Sequence, residues 1–126
     1  MPKIKKQRIL HVDDEHDTLE VVKTILEKEG YEVISVDSGK AALEEIDRNN
    51  FDLLLLDIMM KDMSGWDLFS RISKIKPEYK VVFLTVLEIS DERMKILKEH
   101  GILGYIQKPF DREELVRKVK TFLKNR

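Results

Sequence analysis

Cysteine is absent from the 126-residue sequence, which excludes disulfide bonds and thiolate metal sites. No apolar run approaches the roughly 18 residues that a membrane-spanning helix needs, and no signal peptide is visible. Neither sign of charge dominates, because 23 Lys and Arg stand against 24 Asp and Glu, for a formal net charge of −1. We therefore expect neither a nucleic-acid nor a membrane partner. We predict one domain over residues 1–126, in the cytoplasm.

Basic residues nevertheless cluster at both ends of the chain. Three lysines fall within residues 1–6, and five lysines and arginines fall within residues 117–126. We interpret the first group as a basic N-terminal tail and the second as the solvated face of a helix, in preference to a polyanion-binding site.

The most informative stretch is Phe-Asp-Leu-Leu-Leu-Leu-Asp at residues 51–57. It is too apolar for an element with one wet face and too short for a helix, so it predicts a central strand of a parallel sheet, buried on both sides. Asp57 then emerges at the carboxyl edge of the sheet, where open α/β folds keep their binding crevice. Taken alone, an Asp after a strand is better explained by a helix cap or a turn, so a reactive role for Asp57 depends on the other strand ends.

Further strands are predicted at residues 8–12, 31–36, 80–85 and 104–107. Helical patterns follow each strand: the first ends at Gly30, the second spans 39–48 after Ser38, and the third ends before Pro77. A fourth runs from Ser90 to His100, and the last follows Asp111, which has capping-box spacing to Glu114. Five strands alternating with five helices predict an α/β fold with a parallel sheet and right-handed crossovers.

In such a sheet the carboxyl ends of all strands share one edge, and that edge collects the chemically active side chains: Asp13, Asp14, Asp57, Thr85 and Lys108. Either acid after the first strand can also cap the following helix, and Thr85 alone is compatible with a structural role. Clustered carboxylates need a cation, and an all-oxygen site suits Mg²⁺. One carboxylate can then attack phosphorus, with the hydroxyl and the ammonium holding phosphoryl oxygens.

These residues make the chain resemble the receiver domain of two-component response regulators, from Arg8 to Leu123. The shared motifs are Asp13-Asp14, Asp57, Thr85 and the sequence Lys-Pro-Phe at 108–110. The resemblance implies a flavodoxin-like (βα)5 fold with strand order 2-1-3-4-5.

For the site, the resemblance implies that Asp57 is the phospho-acceptor and that Thr85 and Lys108 contact the phosphoryl group. It implies Mg²⁺, or Mn²⁺ as a substitute, on ligands from four residues: Asp13, Asp14, Asp57 and the backbone carbonyl of Met59. It further implies a cis bond between Lys108 and Pro109, and Tyr105 as the aromatic residue that moves inward with Thr85 on phosphorylation.

For function, the resemblance implies a signalling switch rather than an enzyme, with only its own phosphorylation and slow autodephosphorylation as chemistry. The donor is a sensor histidine kinase, a phosphotransfer protein or a small phosphodonor. The downstream partner is expected on the face of the fourth helix, fifth strand and fifth helix, in a monomer or a phosphorylation-dependent dimer. Because the sequence ends soon after Phe122, we expect a stand-alone receiver of the chemotaxis type, or an excised one.

The sequence departs from the family pattern in the loops around the site. Lys61 replaces the usual proline and Ser64 a common acid, which should alter only loop stiffness. Val86 replaces a small residue, and its methyls are expected to narrow the phosphoryl pocket or to restrict the space for Tyr105. Met59 and Leu87 flank the approach of the hydrolytic water in this family. Neither orients water, so we predict slow loss of phosphate.

Two other classes are compatible with parts of this pattern. A haloacid-dehalogenase-like phosphatase has the motif Asp-x-Asp, whose first aspartate is the nucleophile. In this chain Met59 stands where that motif has its second aspartate. An interaction module with a decayed site would have lost Asp57, Thr85 or Lys108, and all are present. We assign purely structural roles to four further residues: His11, Met60, Met63 and Trp66.

Overall fold

The computed structural model of this chain describes residues 5–124, which form one five-stranded parallel sheet flanked by five helices. In chain order the elements are β1 (Arg8–Val12), α1 (His16–Lys28), β2 (Glu32–Val36), α2 (Gly39–Arg48), β3 (Leu53–Leu56), α3 (Gly65–Ile75), β4 (Val81–Thr85), α4 (Asp91–Glu99), β5 (Ile102–Gln107) and α5 (Arg112–Lys124). The strand order β2-β1-β3-β4-β5 confirms the predicted fold class and topology. Of the predicted basic tail, residues 1–4 lie outside the described part.

The centre of the sheet is β3, and all four of its leucines are buried. Successive side chains of a strand point to opposite faces. Leu54 and Leu56 accordingly join one apolar core, while Leu53 and Leu55 join a second core on the other face. Pairing with β1 and β4 on either side leaves no free edge on this strand. The prediction of a doubly buried central strand is confirmed, and Asp57 follows its last residue.

The last strand begins at Ile102, two residues earlier than the pattern predicted. A register shift on the β4–β5 pair, where Val81 pairs with Ile102 and Val82 with Gly104, accounts for the difference. Gly104 therefore does not start the strand. A Cβ at this position would lie 2.7 Å from the Phe122 ring, so the glycine allows α5 to pack closely on the sheet.

Serine side chains cap the amino ends of three helices. Ser38, Ser64 and Ser90 each accept a hydrogen bond of 3.1 Å from the backbone amide three residues later. Asp111 accepts one of 2.8 Å from the Glu114 amide at the start of α5. Between residues 5 and 124, no helix combines the length and apolarity needed to cross a membrane.

Residues with structural interpretations lie in or against the core. Met60 and Met63 pack at the edge of the first core, as does Trp66 at the start of α3. The Trp66 ring meets Phe83 edge to face, with 4.8 Å between the ring centroids. Aromatic pairs prefer this geometry, which fixes the α3 end of the loop that follows Asp57.

Candidate functional site

Carboxylates from two neighbouring strand ends meet at the carboxyl edge of the sheet. Asp13 and Asp14 follow β1, Asp57 follows β3, and ligand oxygens from the three lie within 4.8 Å of one another. A backbone hydrogen bond of 2.9 Å from the Asp57 amide to the Val12 carbonyl joins the two strand ends. The parallel topology itself therefore produces the acid cluster that the sequence predicted.

Neither acid after β1 caps the helix that follows. The N-cap residue of α1 is Glu15, and no side chain accepts a hydrogen bond at that cap. Asp13 accepts from the Glu15 amide at 2.9 Å, and Asp14 accepts from the Lys61 amide at 3.1 Å, across to the next loop. The alternative of a simple capping role for these acids is wrong, and both remain directed toward the edge of the sheet.

Lys108 brings a positive charge into this cluster from the end of β5. Its Nζ lies 2.6 Å from Asp13 Oδ2, 3.2 Å from Asp57 Oδ2 and 3.4 Å from Glu15 Oε1. The peptide bond between Lys108 and Pro109 is cis. One ammonium thus contacts three carboxylates, two of which are buried.

Burial and charge act in opposite directions on these groups. For Asp13, burial outweighs the hydrogen bond from Lys108, and with the negative charge of Asp57 it raises the pKa of the carboxyl. For Lys108, burial alone would lower the pKa, but the hydrogen bond to Asp13 and the charges of Asp13 and Asp57 raise it. The ammonium therefore stays protonated, and the carboxylates favour additional positive charge.

The donor set fits a hard divalent cation. Three carboxylates supply oxygen ligands only, and Mg²⁺ prefers such sites. Asp13 and Asp57 are buried, whereas Asp14 is half-buried, so a hydrated ion can enter from the Asp14 side. The Met59 amide donates to Asp57 Oδ1 at 3.2 Å, and the role of the Met59 carbonyl as a ligand stays a prediction.

Thr85 is the last residue of β4, and Tyr105 lies on the neighbouring strand β5, three residues before Lys108. The Thr85 side chain is fully buried, and its hydroxyl accepts from the Leu87 amide at 3.3 Å. The Lys108 amide donates to the Thr85 carbonyl at 2.8 Å, which fixes the two strand ends against each other. The Tyr105 hydroxyl donates to the Ile89 carbonyl at 3.2 Å and accepts from the Ile89 amide at 3.4 Å. Tyr105 is therefore tied to the loop that precedes α4.

The side chains predicted to control phosphate lifetime are all exposed to solvent. Met59 is 57% exposed, Val86 55% and Leu87 37%. Tyr105 packs partly buried against the first core even though Val86 is present. Both expected effects of Val86, a narrower phosphoryl pocket and less space for the inward movement of Tyr105 on phosphorylation, stay predictions.

Gly65 is a site residue to which the sequence reasoning gave no role. A Cβ on Gly65 would collide with the Asp57 carbonyl oxygen and lie 2.7 Å from the Ile58 Cα. The Gly65 amide also donates to the Ile58 carbonyl at 2.8 Å. A glycine that begins a helix eight residues after a strand-end acid was the available signal for this close approach.

His11 is buried in β1 two residues before the cluster. Its Nε2 lies 3.9 Å from Asp13 Oδ2, which is too far for a hydrogen bond. Burial, with a smaller contribution from the charge of Lys108, lowers the pKa of His11 to about 3. The ring is neutral at physiological pH and packed inside the fold, in keeping with the structural interpretation from the sequence.

A family model for the response regulator receiver domain matches residues 9–120, and the chain belongs to this family. Receiver domains act in two-component signalling as phosphorylation-dependent switches, not as classical enzymes, and they interact with histidine kinases and downstream effectors.

Individual relatives agree with this assignment. The transcriptional regulatory protein PcoR of Escherichia coli is 36% identical over 118 residues, which are 94% of this chain and 52% of PcoR. The chain thus spans about half the length of the curated relatives it matches. A CheY-like receiver structure from Methanospirillum hungatei JF-1 has a TM-score of 0.85 at 35% identity, covering 94% of both chains.

A third relative bears on the metal. TrrA of Thermotoga maritima, in complex with Mg²⁺ and BeF, has a TM-score of 0.79 at 35% identity, covering 92% of this chain and 98% of TrrA. Receiver domains bind Mg²⁺ at an acidic aspartate cluster. The cluster of Asp13, Asp14 and Asp57 has that composition.

Proposed function

We propose that this chain is a phosphorylation-controlled switch that accepts a phosphoryl group on Asp57. The donor is the phosphohistidine of a sensor histidine kinase or of a phosphotransfer protein, and a small phosphodonor can replace it. The observation that carries the proposal is the placement of a buried Asp57 carboxylate, 3.2 Å from the Lys108 ammonium, beside two further acids. A cation and a nucleophile at contact distance are the minimum that phosphoryl transfer to a carboxylate requires.

During transfer, an Asp57 oxygen forms a bond to phosphorus while the bond from phosphorus to the donor histidine nitrogen breaks, and its electron pair stays on that nitrogen. Lys108 keeps its proton because its pKa is raised, so its ammonium can move from Asp57 Oδ2 to a phosphoryl oxygen. The Thr85 hydroxyl would hold a second phosphoryl oxygen. Asp13 and Asp57 would hold the metal directly, Asp14 partly through water, and the Met59 carbonyl would complete the set. When bound, Mg²⁺, or Mn²⁺ in its place, would offset the negative charge of the carboxylates and of the incoming phosphoryl group.

Exposed apolar side chains next to Lys108 support docking of a protein donor at this edge. Val21 on α1 is 50% exposed and Val86 is 55% exposed, and Pro109 lies with them along one shallow groove. Exposed apolar surface with polar and charged residues at its rim is typical of protein contact sites. This surface would position the donor histidine over Asp57.

The output of the switch is proposed on the face of α4, β5 and α5. When Thr85 turns toward the phosphoryl group, its hydroxyl would move away from the Leu87 amide, which donates to it at 3.3 Å, and thereby release the loop after β4. The same loop is held further along by Tyr105 at Ile89, directly before α4. Movement of Thr85 would thus reach α4 through one short loop, change the preference for a downstream protein and permit a phosphorylation-dependent dimer.

The test is incubation of the purified chain with a small phosphodonor and Mg²⁺. Stable label on Asp57 supports the switch, continuous release of phosphate would indicate a hydrolase, and no label would indicate a decayed module. Asp57→Asn keeps the shape of the side chain without the nucleophile and should abolish labelling with the fold intact. Label that persists on another residue of this variant would contradict the assignment.

The cytoplasmic location and the extent of the domain over residues 1–126 stay part of the proposal.

A further inference from the structure

The loop between β3 and α3 directs two backbone amides at the acid cluster. The Met59 amide donates to Asp57 Oδ1 at 3.2 Å, and the Lys61 amide donates to Asp14 Oδ2 at 3.1 Å. Each N–H places a positive partial charge against a carboxylate of the cluster. The second bond spans 47 residues of sequence and connects the loop after β3 to the loop after β1.

The segment that carries the Lys61 amide is also held from its other side. Asp62 accepts hydrogen bonds of 3.1 Å from both the Gly39 and the Lys40 amides, at the start of α2. Met63 packs so closely on Gly39 that a Cβ there would lie 2.5 Å from the Met63 Cγ. An exposed loop residue such as Lys61 would otherwise be free to turn, and these contacts keep its N–H facing Asp14.

We infer that Lys61 is a positioning residue for the metal site and that it acts through its main-chain N–H. The hydrogen bond commits Asp14 Oδ2 to the loop and leaves the other oxygen of this carboxylate available to a cation. Hydrogen bonds to a ligating carboxylate orient it, and the loss of such a bond typically lowers metal affinity by roughly ten- to hundredfold. The inference rests on the proposed function, because it gives the acid cluster its metal.

The chemistry of residue 61 makes this contribution specific to the present sequence. The receiver family that the chain resembles usually has proline at this position, and proline has no N–H to donate. The side chain of Lys61 has the opposite tendency, since an ammonium near the cluster repels a second cation. The amide and the ammonium therefore predict different results when they are removed separately.

Two variants separate these contributions. Lys61→Pro removes both the N–H and the ammonium, and Lys61→Ala removes the ammonium alone. We expect Lys61→Pro to weaken Mg²⁺ binding, measured by isothermal titration calorimetry of the unphosphorylated protein, by roughly tenfold. Lys61→Ala should bind Mg²⁺ as tightly as the wild type, or more tightly. Equal weakening in both variants, or no weakening in Lys61→Pro, would overturn the inference.

Amide hydrogen exchange tests the bond without any metal. In EDTA, the amide of residue 61 should exchange roughly tenfold or more slowly than in an unfolded peptide of the same sequence, in the wild type and in Lys61→Ala alike. Unprotected exchange would overturn the inference however Lys61→Pro folds.

Labelling of Asp57 at saturating Mg²⁺ distinguishes a failure of this inference from a failure of the proposed function. The wild type and both variants should label if Asp57 is the acceptor, and an unlabelled wild type would count against the proposed function while the Mg²⁺ affinities still decide the role of Lys61.

Discussion

Lys108 balances only part of the negative charge at the carboxyl edge of the sheet. Its ammonium contacts Asp13, Glu15 and Asp57, and Asp14 adds a further acid to the cluster. One cation cannot neutralise four carboxylates, and the raised pKa of Asp13 reflects both its burial and the charge of Asp57. The site therefore favours additional positive charge, which a divalent ion would supply.

From the side chains of Met59 and Leu87 we predict a long-lived phosphorylated form. Both are exposed and cannot hold a water by hydrogen bonding. Replacing both, Met59→Asn with Leu87→Glu, should speed loss of phosphate by roughly tenfold or more, about 1.4 kcal/mol of barrier, because the new groups orient the attacking water. Phosphate release from purified phosphoprotein measures the rate.

The matched control for this variant exchanges the two apolar side chains, Met59→Leu with Leu87→Met. It keeps the cover over the phosphoryl face and adds no polar group, so its rate should stay near that of the wild type. An unchanged or slower rate in the polar double variant would mean that water access is controlled elsewhere.

Between elements, Asp62 connects the loop after β3 to the amino end of α2. Slight burial would raise the pKa of its carboxyl, but hydrogen bonds from the Gly39 and Lys40 amides outweigh it and lower the pKa. A lowered pKa in the folded state means that the ionised form stabilises the fold above the ordinary Asp pKa of about 3.9. That contribution is lost as the pH falls through the folded-state value.

Replacement of this acid should therefore show a defined pH dependence. Asp62→Asn should lower the free energy of unfolding at pH 7, and the difference from the wild type should shrink toward pH 3 and below. Denaturant titrations at several pH values measure it. Asp47→Asn, at an exposed position on α2, serves as control and should be near neutral throughout. A deficit that stays constant with pH would show that the charge of Asp62 is not what holds the loop.

Elements were predictable from the sequence where both faces of a strand are buried. The leucines of β3 permit no other interpretation, and their position fixed the place of Asp57. The start of β5 was not predictable, because Ile102 belongs to the strand only through a register shift against β4. The Lys61 amide was equally hidden, since a backbone N–H leaves no trace in residue identity. At that position the sequence showed that proline was missing and predicted only a change in loop stiffness, with no role at the metal site.

At the scale of the whole molecule, the strand order places the acid cluster where two strands leave the sheet next to each other, so its repulsion acts on the entire fold. Asp57 gains one contact with Lys108 at 3.2 Å, yet it is a buried carboxylate within 4.8 Å of two others. Lys108 keeps Asp13 at 2.6 Å if the charge of Asp57 is removed. The cost of burying an ion next to like charges should therefore exceed the lost attraction.

Asp57→Asn should accordingly raise the melting temperature in EDTA by about 4 °C, which corresponds to about 1 kcal/mol for a domain of this size. Asp47→Asn controls for removal of a charge remote from the cluster. Calorimetric scans should then be repeated with Mg²⁺, which should stabilise the wild type increasingly as its concentration rises above the dissociation constant, and so reduce or reverse the difference. A lower melting temperature for Asp57→Asn in EDTA would mean that the attraction to Lys108 outweighs the repulsion among the carboxylates. In that case Lys108 would offset enough of the negative charge of the cluster without a metal. Repulsion among the carboxylates would then not be the reason for Mg²⁺ to bind.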